Sequence, residues 1–306
     1  MTHSNIAAPK AWLFIFILLA AIWGASFLLM RLAATEFGVF TTSCLRMGIG
    51  AVVMLPLLWW RGLVPQMLAN WRRILWISFI NATIPFACFA FAVLHITTGL
   101  SAILNATVPM FSALVAWVWL GQRLTAWRVL GIAIGFIGIT LLAGEHAALK
   151  GDALWLSILS ILACLIAALC YGLSGNLIKE QLSHLHPWVI AGGTMLGATL
   201  WLTIPAALTW PATAPSMQAW GALIAVGVVC SALAFMMYFT LLQRIDATKT
   251  QSVTYLIPVF ALIYGVLFLD ERVTLWMVLC GTVVLVGTAL ATGLIYKPQR
   301  GLTAKE

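Results

Sequence analysis

A stretch of 22 residues occurs twice in this chain, 149 residues apart. The first copy runs from Pro109 to Leu130 and the second from Pro258 to Leu279, with eight identities in the 22 aligned positions. Leu and Val matches arise easily in an apolar chain, but Pro, Arg, Thr and Trp matches in the same register do not. The chain is therefore an internal duplication.

Composition places nearly all of this duplication in lipid. The 306 residues are 63% apolar and only 8% charged, against about 25% charged in a typical soluble domain. So few charges cannot cover a water-exposed surface of this size, and the bilayer must be the solvent for most of the chain. The net charge of +8 comes from positive residues scattered singly, which argues against a nucleic-acid partner.

Ten apolar segments are long enough to cross a bilayer. They are predicted as helices at roughly 12–33, 38–60, 74–95, 98–120, 126–144, 154–178, 188–208, 218–242, 248–269 and 274–296. The fold class is thus an all-α membrane protein. The longest connections, 61–73, 179–187 and 209–217, leave no room for a sizeable soluble domain.

The duplication extends over almost the whole sequence. Trp23-Gly24 in the first span matches Tyr171-Gly172 in the sixth, and Pro56 matches Pro205. The predicted organisation is a cytoplasmic tail 1–11, a five-helix repeat 12–144, a second five-helix repeat 154–296 and a cytoplasmic tail 297–306.

Charge placement predicts the orientation of the spans. With both termini in the cytoplasm, twelve Lys and Arg residues lie inside and only Arg31, Lys150 and Arg272 lie outside, a clear positive-inside bias. Because five spans is an odd number, the second copy must enter the membrane in the opposite orientation. Inverted repeats are the construction that many secondary transporters use for alternating access.

The two copies of Pro-x-Phe…Leu-x-[Gln/Glu]-Arg-x-Thr resemble the EamA-type transporters of the drug/metabolite transporter superfamily. Trp23-Gly24 and the lone Arg46 early in the second span also look like that family. The resemblance implies ten helices in two inverted repeats and export or exchange of small metabolites such as amino acids, nucleotides, sugars or drugs. The family's usual acid before the Arg is kept at Glu271 but replaced by Gln122 in the first copy.

Prolines near the middles of the fourth and ninth spans predict a polar centre. Pro109 and Pro258 each remove a helical hydrogen bond, and a freed carbonyl in hydrocarbon needs protein or a wet cavity beside it. Polar residues follow one face of each span, Thr98, Ser101, Asn105 and Ser112 in the fourth and Thr250, Gln251, Thr254 and Tyr255 in the ninth. We expect the two faces to meet at a cavity. The alternative is that the hydroxyls bond to their own helices, which suits Ser112 and Thr250 but not the amides of Asn105 and Gln251.

Neighbouring spans extend this predicted cavity. Asn81, Pro85 and Phe89 lie near one face of the third span, and Ser231, Phe235 and Tyr238 lie in the corresponding part of the eighth. The predicted substrate-binding set is Trp23, Asn81, Ser101, Asn105, Tyr171, Tyr238, Gln251, Thr254 and Tyr255, with Pro85, Pro109 and Pro258 as hinges. Rings and amides together suit an amphipathic solute, such as an amino acid, an aromatic one included, or a drug-like cation.

Arg46 is a candidate for a charge role, since an ionisable residue within a span is a functional hypothesis by default. The alternative is that it reaches the outer headgroups or pairs with Glu36. In contrast, no Asp or Glu falls in the middle of any span. A buried carboxylate relay for protons is therefore not expected, and facilitated transport or exchange is favoured.

Other functions find less support in the sequence. A membrane-embedded enzyme acting on lipid-like substrates would need a nucleophile, base or metal cluster within the bilayer, whereas four of the five His lie in tails or loops and no CxxC is present. We therefore expect no catalytic residues, metal or cofactor. The expected partners are a small-molecule substrate and the lipid of a bacterial inner membrane. Glycines at Gly131, Gly135 and Gly138, and at Gly193 and Gly197, indicate close helix contacts, within a monomer or in a weak homodimer.

Overall fold

The computed structural model describes residues 11–119, 121–146, 152–244, 250 and 252–294. Ten helical spans follow one another: α1 (Ala11–Phe37), α2 (Val39–Trp60), α3 (Trp71–Ala92), α4 (Thr98–Val118), α5 (Ala126–His146), α6 (Asp152–Gln181), α7 (Pro187–Leu208), α8 (Met217–Gly227, Val228–Leu233 and Ala234–Arg244), α9 (Ser252–Leu269) and α10 (Leu275–Thr292). All ten are long and apolar enough to cross a membrane. The all-α membrane fold and the ten spans are therefore confirmed.

One predicted connection is more structured than the sequence indicated. The segment 61–73 contains a short helix, Val64–Ala69, and α3 already begins at Trp71. Pro65 lies in the first turn of this short helix, where a missing N–H does no harm. Met67 is buried against Ile74 and Leu182, which fixes the short helix against the ends of α3 and α6.

The prediction of continuous helices at the central prolines is wrong in detail. α4 consists of two helices, Thr98–Asn105 and Val108–Val118, and Pro109 lies in the first turn of the second. Likewise, α9 starts as a 3₁₀ turn, Ser252–Tyr255, and Pro258 opens the helix Ile257–Leu269. A proline in a first turn has no hydrogen bond to lose, so both spans are broken rather than kinked.

Pro85 stands at a different kind of irregularity. It lies in the first turn of Ile84–Ala92, directly after a π-helical turn, Phe79–Thr83, within α3. A second π turn, Val228–Leu233, interrupts α8 at the position 149 residues later. Because the second turn forms without a proline, Pro85 is not what causes the π geometry. Sequence reasoning did not foresee either turn.

The two halves of the chain interdigitate. The most extensive contacts between spans pair α5 with α10, α2 with α7, α3 with α6 and α1 with α9. Each of these pairs takes one helix from residues 11–146 and one from residues 152–292. The halves are therefore not separate bundles, and any site in the interior is built by both.

Glycines allow the closest of these contacts. A Cβ atom at Gly131 of α5 would lie 2.7 Å from the Gly287 carbonyl oxygen of α10, and one at Gly287 would lie 2.7 Å from the Gly135 Cα. In α7, Gly193 faces Ile74 and Gly197 faces Ser78, both in α3. The glycine faces found in the sequence are thus occupied within the chain.

Candidate functional site

Two aromatic clusters join the halves in a reciprocal way. Trp23 of α1 packs against Phe235 and Tyr238 of α8, with ring centroids 6.3 and 5.6 Å away. Tyr171 of α6 packs against Phe86 and Phe89 of α3, with ring centroids 6.4 and 6.3 Å away. These sets are repeat counterparts, since Phe86 and Phe89 precede Phe235 and Tyr238 by 149 residues.

The exchange of rings is symmetric in kind. In each cluster an aromatic residue from the first helix of one half reaches the third helix of the other half. The first contact in each cluster is edge-to-face, with interplanar angles of 74° and 81°, a preferred geometry for aromatic pairs. Phe86 was not among the predicted residues, although its 149-residue relation to Phe235 was a signal that could have found it.

Arg46 of α2 lies beside the Tyr171 cluster. Its side chain is only 4% exposed. Nε donates to the Ser231 hydroxyl at 3.1 Å, Nη1 lies 3.7 Å from the Met30 sulfur, and the guanidinium stacks 4.2 Å from the Phe86 ring centroid. Met30 and Phe86 belong to the first half and Ser231 to the second, so both halves build the environment of this charge.

Local backbone geometry lets α8 come close to Arg46. A Cβ atom at Gly227 would lie 2.7 Å from the Ile49 side chain and 3.1 Å from the Arg46 carbonyl oxygen. The π turn then carries Ser231, whose hydroxyl donates to the Val226 carbonyl at 3.0 Å. The same hydroxyl oxygen can therefore present a lone pair to Arg46.

The structure excludes the pairing of Arg46 with Glu36. Glu36 accepts hydrogen bonds from the backbone N–H and the hydroxyl of Ser216, at 2.6 and 2.7 Å. It thereby holds the N-terminus of α8 to the end of α1. Arg46, being buried, does not reach out to headgroups either. Both structural alternatives for Arg46 are therefore wrong.

Predicted site residues of the third and fourth spans are placed in different surroundings. The Asn81 side-chain oxygen accepts a hydrogen bond from Ser174 of α6 at 2.9 Å. Ser174 follows Tyr171 by three residues. Ser101 is fully buried and donates to the Thr97 carbonyl of its own helix. Asn105 is half-buried and ends the first helix of α4. Their binding roles stay predictions.

The predicted polar face of α4 does not act as one surface. Thr98 donates to Glu271, whereas Ser112 accepts from the Asn176 side chain of α6 at 3.3 Å. The break at 106–107 interrupts the helical register, so residues spaced for one face turn to different neighbours. This outcome could not be read from periodicity alone.

The structure describes only some of the predicted site residues of the ninth span. Gln251 lies outside the described residues. Thr254 and Tyr255 belong to the 3₁₀ turn and are half-buried. The Tyr255 hydroxyl lies 3.2 Å from the Thr292 hydroxyl and 3.4 Å from the Thr288 carbonyl, both in α10. Tyr255 is therefore held against α10.

One ion pair is found among the described residues, at the end of the bundle where α1 finishes and α4 begins. Arg31 Nη1 donates to the Glu271 carboxylate at 2.8 Å, and the backbone N–H and hydroxyl of Thr98 donate to the same carboxylate at 2.9 Å. Glu271 is only 6% exposed on its side chain. Its role as a three-way tie was missed, because sequence reasoning treated it as a loop acid.

Within the described residues, no group of three or more His, Cys, Asp or Glu could hold a metal ion. In the part of the chain that the structure describes, the polar groups of the interior include the Arg46 guanidinium, several hydroxyls and the Asn81 and Asn176 amides. Groups of these kinds can bind and orient a small solute.

Comparison with known proteins agrees with this architecture. The profile of the EamA-like transporter family matches residues 10–144 and again residues 158–293. A Bacillus subtilis protein named uncharacterized transporter YvbV is 24% identical over 264 residues, covering 84% of this chain and 83% of that one. A Streptantibioticus cattleyicolor protein named probable terminal-alkyne amino-acid exporter is 29% identical over 181 residues, covering 58% of each chain.

A solved crystal structure shares the fold, with a TM-score of 0.63 and 18% identity, and covers 96% of this chain and 100% of that one. The two family matches fall on the two copies detected in the sequence and together take in nearly all ten spans. The chain is a multi-pass membrane protein that belongs to the EamA-like transporter family.

Proposed function

We propose that this protein is a secondary transporter that exports or exchanges small amphipathic metabolites by alternating access. The observation that carries the proposal is the reciprocal pair of aromatic clusters around the buried Arg46. Each half supplies rings that pack on the other, so relative movement of the halves would alter both clusters together. The family of the chain supports transport as the general activity.

The proposed mechanism uses the duplication. The two copies lie in the membrane in opposite orientations, both termini are cytoplasmic, and the membrane is the bacterial inner membrane. Opening towards one side is then the mirror image of opening towards the other. The broken spans α4 and α9 and the paired π turns of α3 and α8 are the places where backbone geometry can change at the lowest cost.

The solute is proposed to lie between the clusters. Trp23, Tyr171 and Tyr238 contact its apolar part, and Asn81, Asn105, Gln251 and Thr254 its polar groups. Amino acids fit better than drug-like cations, because Arg46 places a buried positive charge beside the rings, with no acid next to it in the described part of the chain. One relative is named as an amino-acid exporter, which agrees with this choice. The working form is a monomer or a weak homodimer.

No observation favours the alternative of a membrane-embedded enzyme. The relatives with a stated activity are named as transporters or exporters. The buried hydroxyl of Ser231 contacts a guanidinium rather than a base, which is not an arrangement that activates a nucleophile.

Flux in proteoliposomes tests the proposal. Wild-type protein should exchange internal for external radiolabelled L-phenylalanine or L-leucine, and Asn105→Leu should reduce the rate by about tenfold, equivalent to about 1.4 kcal/mol. Asn70→Leu, an amide beside the short surface helix, is the matched control and should retain wild-type flux. Full flux through Asn105→Leu would remove Asn105 from the site, and no flux of any tested metabolite through the wild type would remove the transporter.

Reporter fusions test the orientation. Alkaline phosphatase fused after Leu149 and after Pro211 should be active in both cases, since both points are proposed to lie outside. A fusion at the C-terminus should be inactive and supplies the control. A cytoplasmic signal at either internal point would contradict the inverted arrangement.

A further inference from the structure

We propose that Arg46 binds a carboxylate group of the transported solute, so that the substrate class is small organic acids with an apolar or aromatic body. This inference rests on the proposed transport function and specifies its substrate. It follows from three observations on the described residues: no acid lies beside Arg46, one guanidinium nitrogen has no acceptor among them, and aromatic rings lie next to the guanidinium.

The first observation is the lack of an acid beside Arg46. Among the described residues the ion pair found joins Arg31 to Glu271, and Glu36 is bound to Ser216. Glu180 and Asp270 are exposed. A buried cation without a partner is costly in any protein and more so within a bilayer. A counter-ion that arrives with the substrate would relieve that cost.

The second observation is the unused hydrogen-bonding capacity of the guanidinium. Nε is satisfied by Ser231, but Nη1 has only the Met30 thioether, which is a weak acceptor. Nη2 makes no hydrogen bond with the described residues. The fully enclosed polar atoms without partners are Thr42 Oγ1 and Ser160 Oγ, so Nη2 is not one of them. The Nη1–Nη2 edge is therefore not fully enclosed, since Nη2 keeps some accessible surface.

The geometry of that edge selects the ligand. Two parallel N–H groups of a guanidinium match the two oxygens of a carboxylate. Phe86 covers one face of the guanidinium at 4.2 Å, so a ligand approaches along the edge rather than over that face. A single carboxylate also balances a single charge, whereas a phosphate dianion would leave an excess negative charge in an apolar site.

The third observation is the aromatic wall beside this edge. Tyr171 is an electrostatic neighbour of Arg46, and it packs against Phe86 and Phe89. A solute whose carboxylate meets Arg46 would therefore lay its apolar part against these rings. An inorganic anion could not use that surface.

Only the first copy of the repeat carries this arginine, so the proposed site occurs once per molecule. Position 195, which corresponds to Arg46 in the second copy, is occupied by Met195, and its sulfur lies beside Gly50 of α2. The Trp23 cluster therefore has no equivalent cation from its own repeat counterpart. One carboxylate per protein molecule is the expected stoichiometry.

Paired ligands test this without altering the protein. Full-length protein in nanodiscs is titrated with 3-phenylpropionate, L-phenylalanine and L-leucine, each beside its own amide, and with phenyl phosphate. At least one acid should raise the melting temperature of the wild type and bind at least about tenfold more tightly than its amide. Equal binding of acid and amide in all three pairs, no binding of any acid, or tighter binding of phenyl phosphate would each overturn the inference.

Substitutions then locate the effect. Arg46→Met, which copies the residue of the second repeat, should abolish the preference for acid over amide, and Arg46→Lys should weaken acid binding about tenfold because it keeps the charge but loses the fork. Arg72→Met, at an exposed arginine near the start of α3, is the control and should bind as the wild type does. If Arg46→Met does not fold, Arg46→Lys and the acid–amide pairs decide the matter.

A structural role for Arg46 predicts a different result. If the arginine mainly holds α2 to α8, Arg46→Met should lower the melting temperature of the empty protein. If it awaits an anion, the empty protein should be as stable as the wild type or more so, because an uncompensated charge has been removed. Transport of neutral amides by a variant that has lost acid binding would leave the transporter function intact while confirming the role of Arg46.

Discussion

The turns that follow α4 and α9 have the same backbone and different chemistry. Gly121 and Asp270 both adopt left-handed geometry, with φ of 63° and 52°. The next residue in each donates its N–H to a carbonyl six residues back, Gln122 to Ala116 at 3.2 Å and Glu271 to Gly265 at 3.1 Å. Here, however, the similarity ends. The Glu271 carboxylate is nearly buried and collects three donors, whereas the Gln122 side chain is exposed.

This difference shows which property of the repeat survives sequence divergence between the two copies and which does not. A helix C-terminus with a left-handed residue forms from local geometry alone, so two diverged sequences retain it. A carboxylate is useful only where other elements bring donors to it. Glu271 has Arg31 and Thr98, but the residue that aligns with Thr98 in the second copy is Ala247. The Glu271 side chain thus links its turn after α9 to α1 and α4, whereas the Gln122 side chain in the turn after α4 is exposed.

Arg46 and Met195 repeat this contrast in the interior. The two positions align, and α2 and α7 pack on each other. The backbone framework is shared, but only the first copy carries a charge. The two copies of the repeat therefore share backbone features but differ in their chemistry, both at the turns and around Arg46.

The largest effect is expected where helices of the two halves approach backbone to backbone, at the glycine contact of α5 with α10. Gly131→Val should destabilise the protein by about 3 kcal/mol or more, because its side chain meets backbone atoms of Gly287 and Ala291 that cannot move aside. Thermal denaturation followed by size-exclusion chromatography measures this. Gly144→Val, in the same helix with no atom within 4 Å of the new Cβ, should have little effect; equal losses in both would contradict the packing of α5 on α10.

The turn comparison predicts a clear asymmetry. Glu271→Gln should lower stability by about 2–3 kcal/mol, since it leaves Arg31 unpaired and weakens both bonds from Thr98. Gln122→Glu, the reverse exchange in the other copy, should change stability by less than about 0.5 kcal/mol. The melting temperatures of the two variants, measured side by side, decide whether the tie exists in one copy alone. Comparable shifts would show that the turns are equivalent after all.

The two aromatic clusters should likewise differ from each other in their effect on transport. Tyr171→Leu should reduce flux of a carboxylate solute by about tenfold and Trp23→Leu by about two- to threefold, because Phe86 of the Tyr171 cluster stacks on Arg46. Flux in proteoliposomes, corrected for the amount of folded protein, is the measurement. A larger loss for Trp23→Leu would place the solute on the opposite side of the interior.

The smallest difference is expected at the helix starts that follow the two turns. Thr274 caps α10 by accepting from the Met277 N–H at 3.0 Å, and Thr274→Ala should cost about 1 kcal/mol. Thr125 is exposed at the aligned position, where no such bond from its side chain is found among the described residues, so Thr125→Ala should cost less. Chemical or thermal denaturation of both variants would show whether the cap is used in one copy or in two.

Much of the fold could be predicted because its signals are local. The ten spans were found with boundaries within a few residues, since lipid requires about 20 apolar residues per crossing and leaves few alternatives to a helix. The duplication was visible in Pro, Arg, Thr and Trp residues that recur in register. The match of Trp23-Gly24 with Tyr171-Gly172, 148 residues apart, extended the duplication to the first and sixth spans.

The site was less predictable, because its contacts join residues far apart in the chain. Tyr171 meets Phe86, and Arg46 meets Ser231, across distances in sequence that no local pattern spans. The helices are apolar on nearly every face, so hydropathy does not say which face meets which neighbour. The broken α4 was a further obstacle, because the predicted polar face assumed an uninterrupted helical period.

The sequence by itself determined that this chain is a duplicated membrane protein of ten helices, with Arg46 inside its second span and no acid in the middle of any span. Those properties depend on length, hydropathy and register, which every segment carries alone. Tertiary structure decided that the halves interdigitate, that Glu271 and not Gln122 ties three elements together, and that Arg46 lies buried with no acid beside it among the described residues. The reason is that the free energy of a charged group depends on the donors, acceptors and solvent around it. In this protein, the other half of the molecule supplies many of those donors and acceptors.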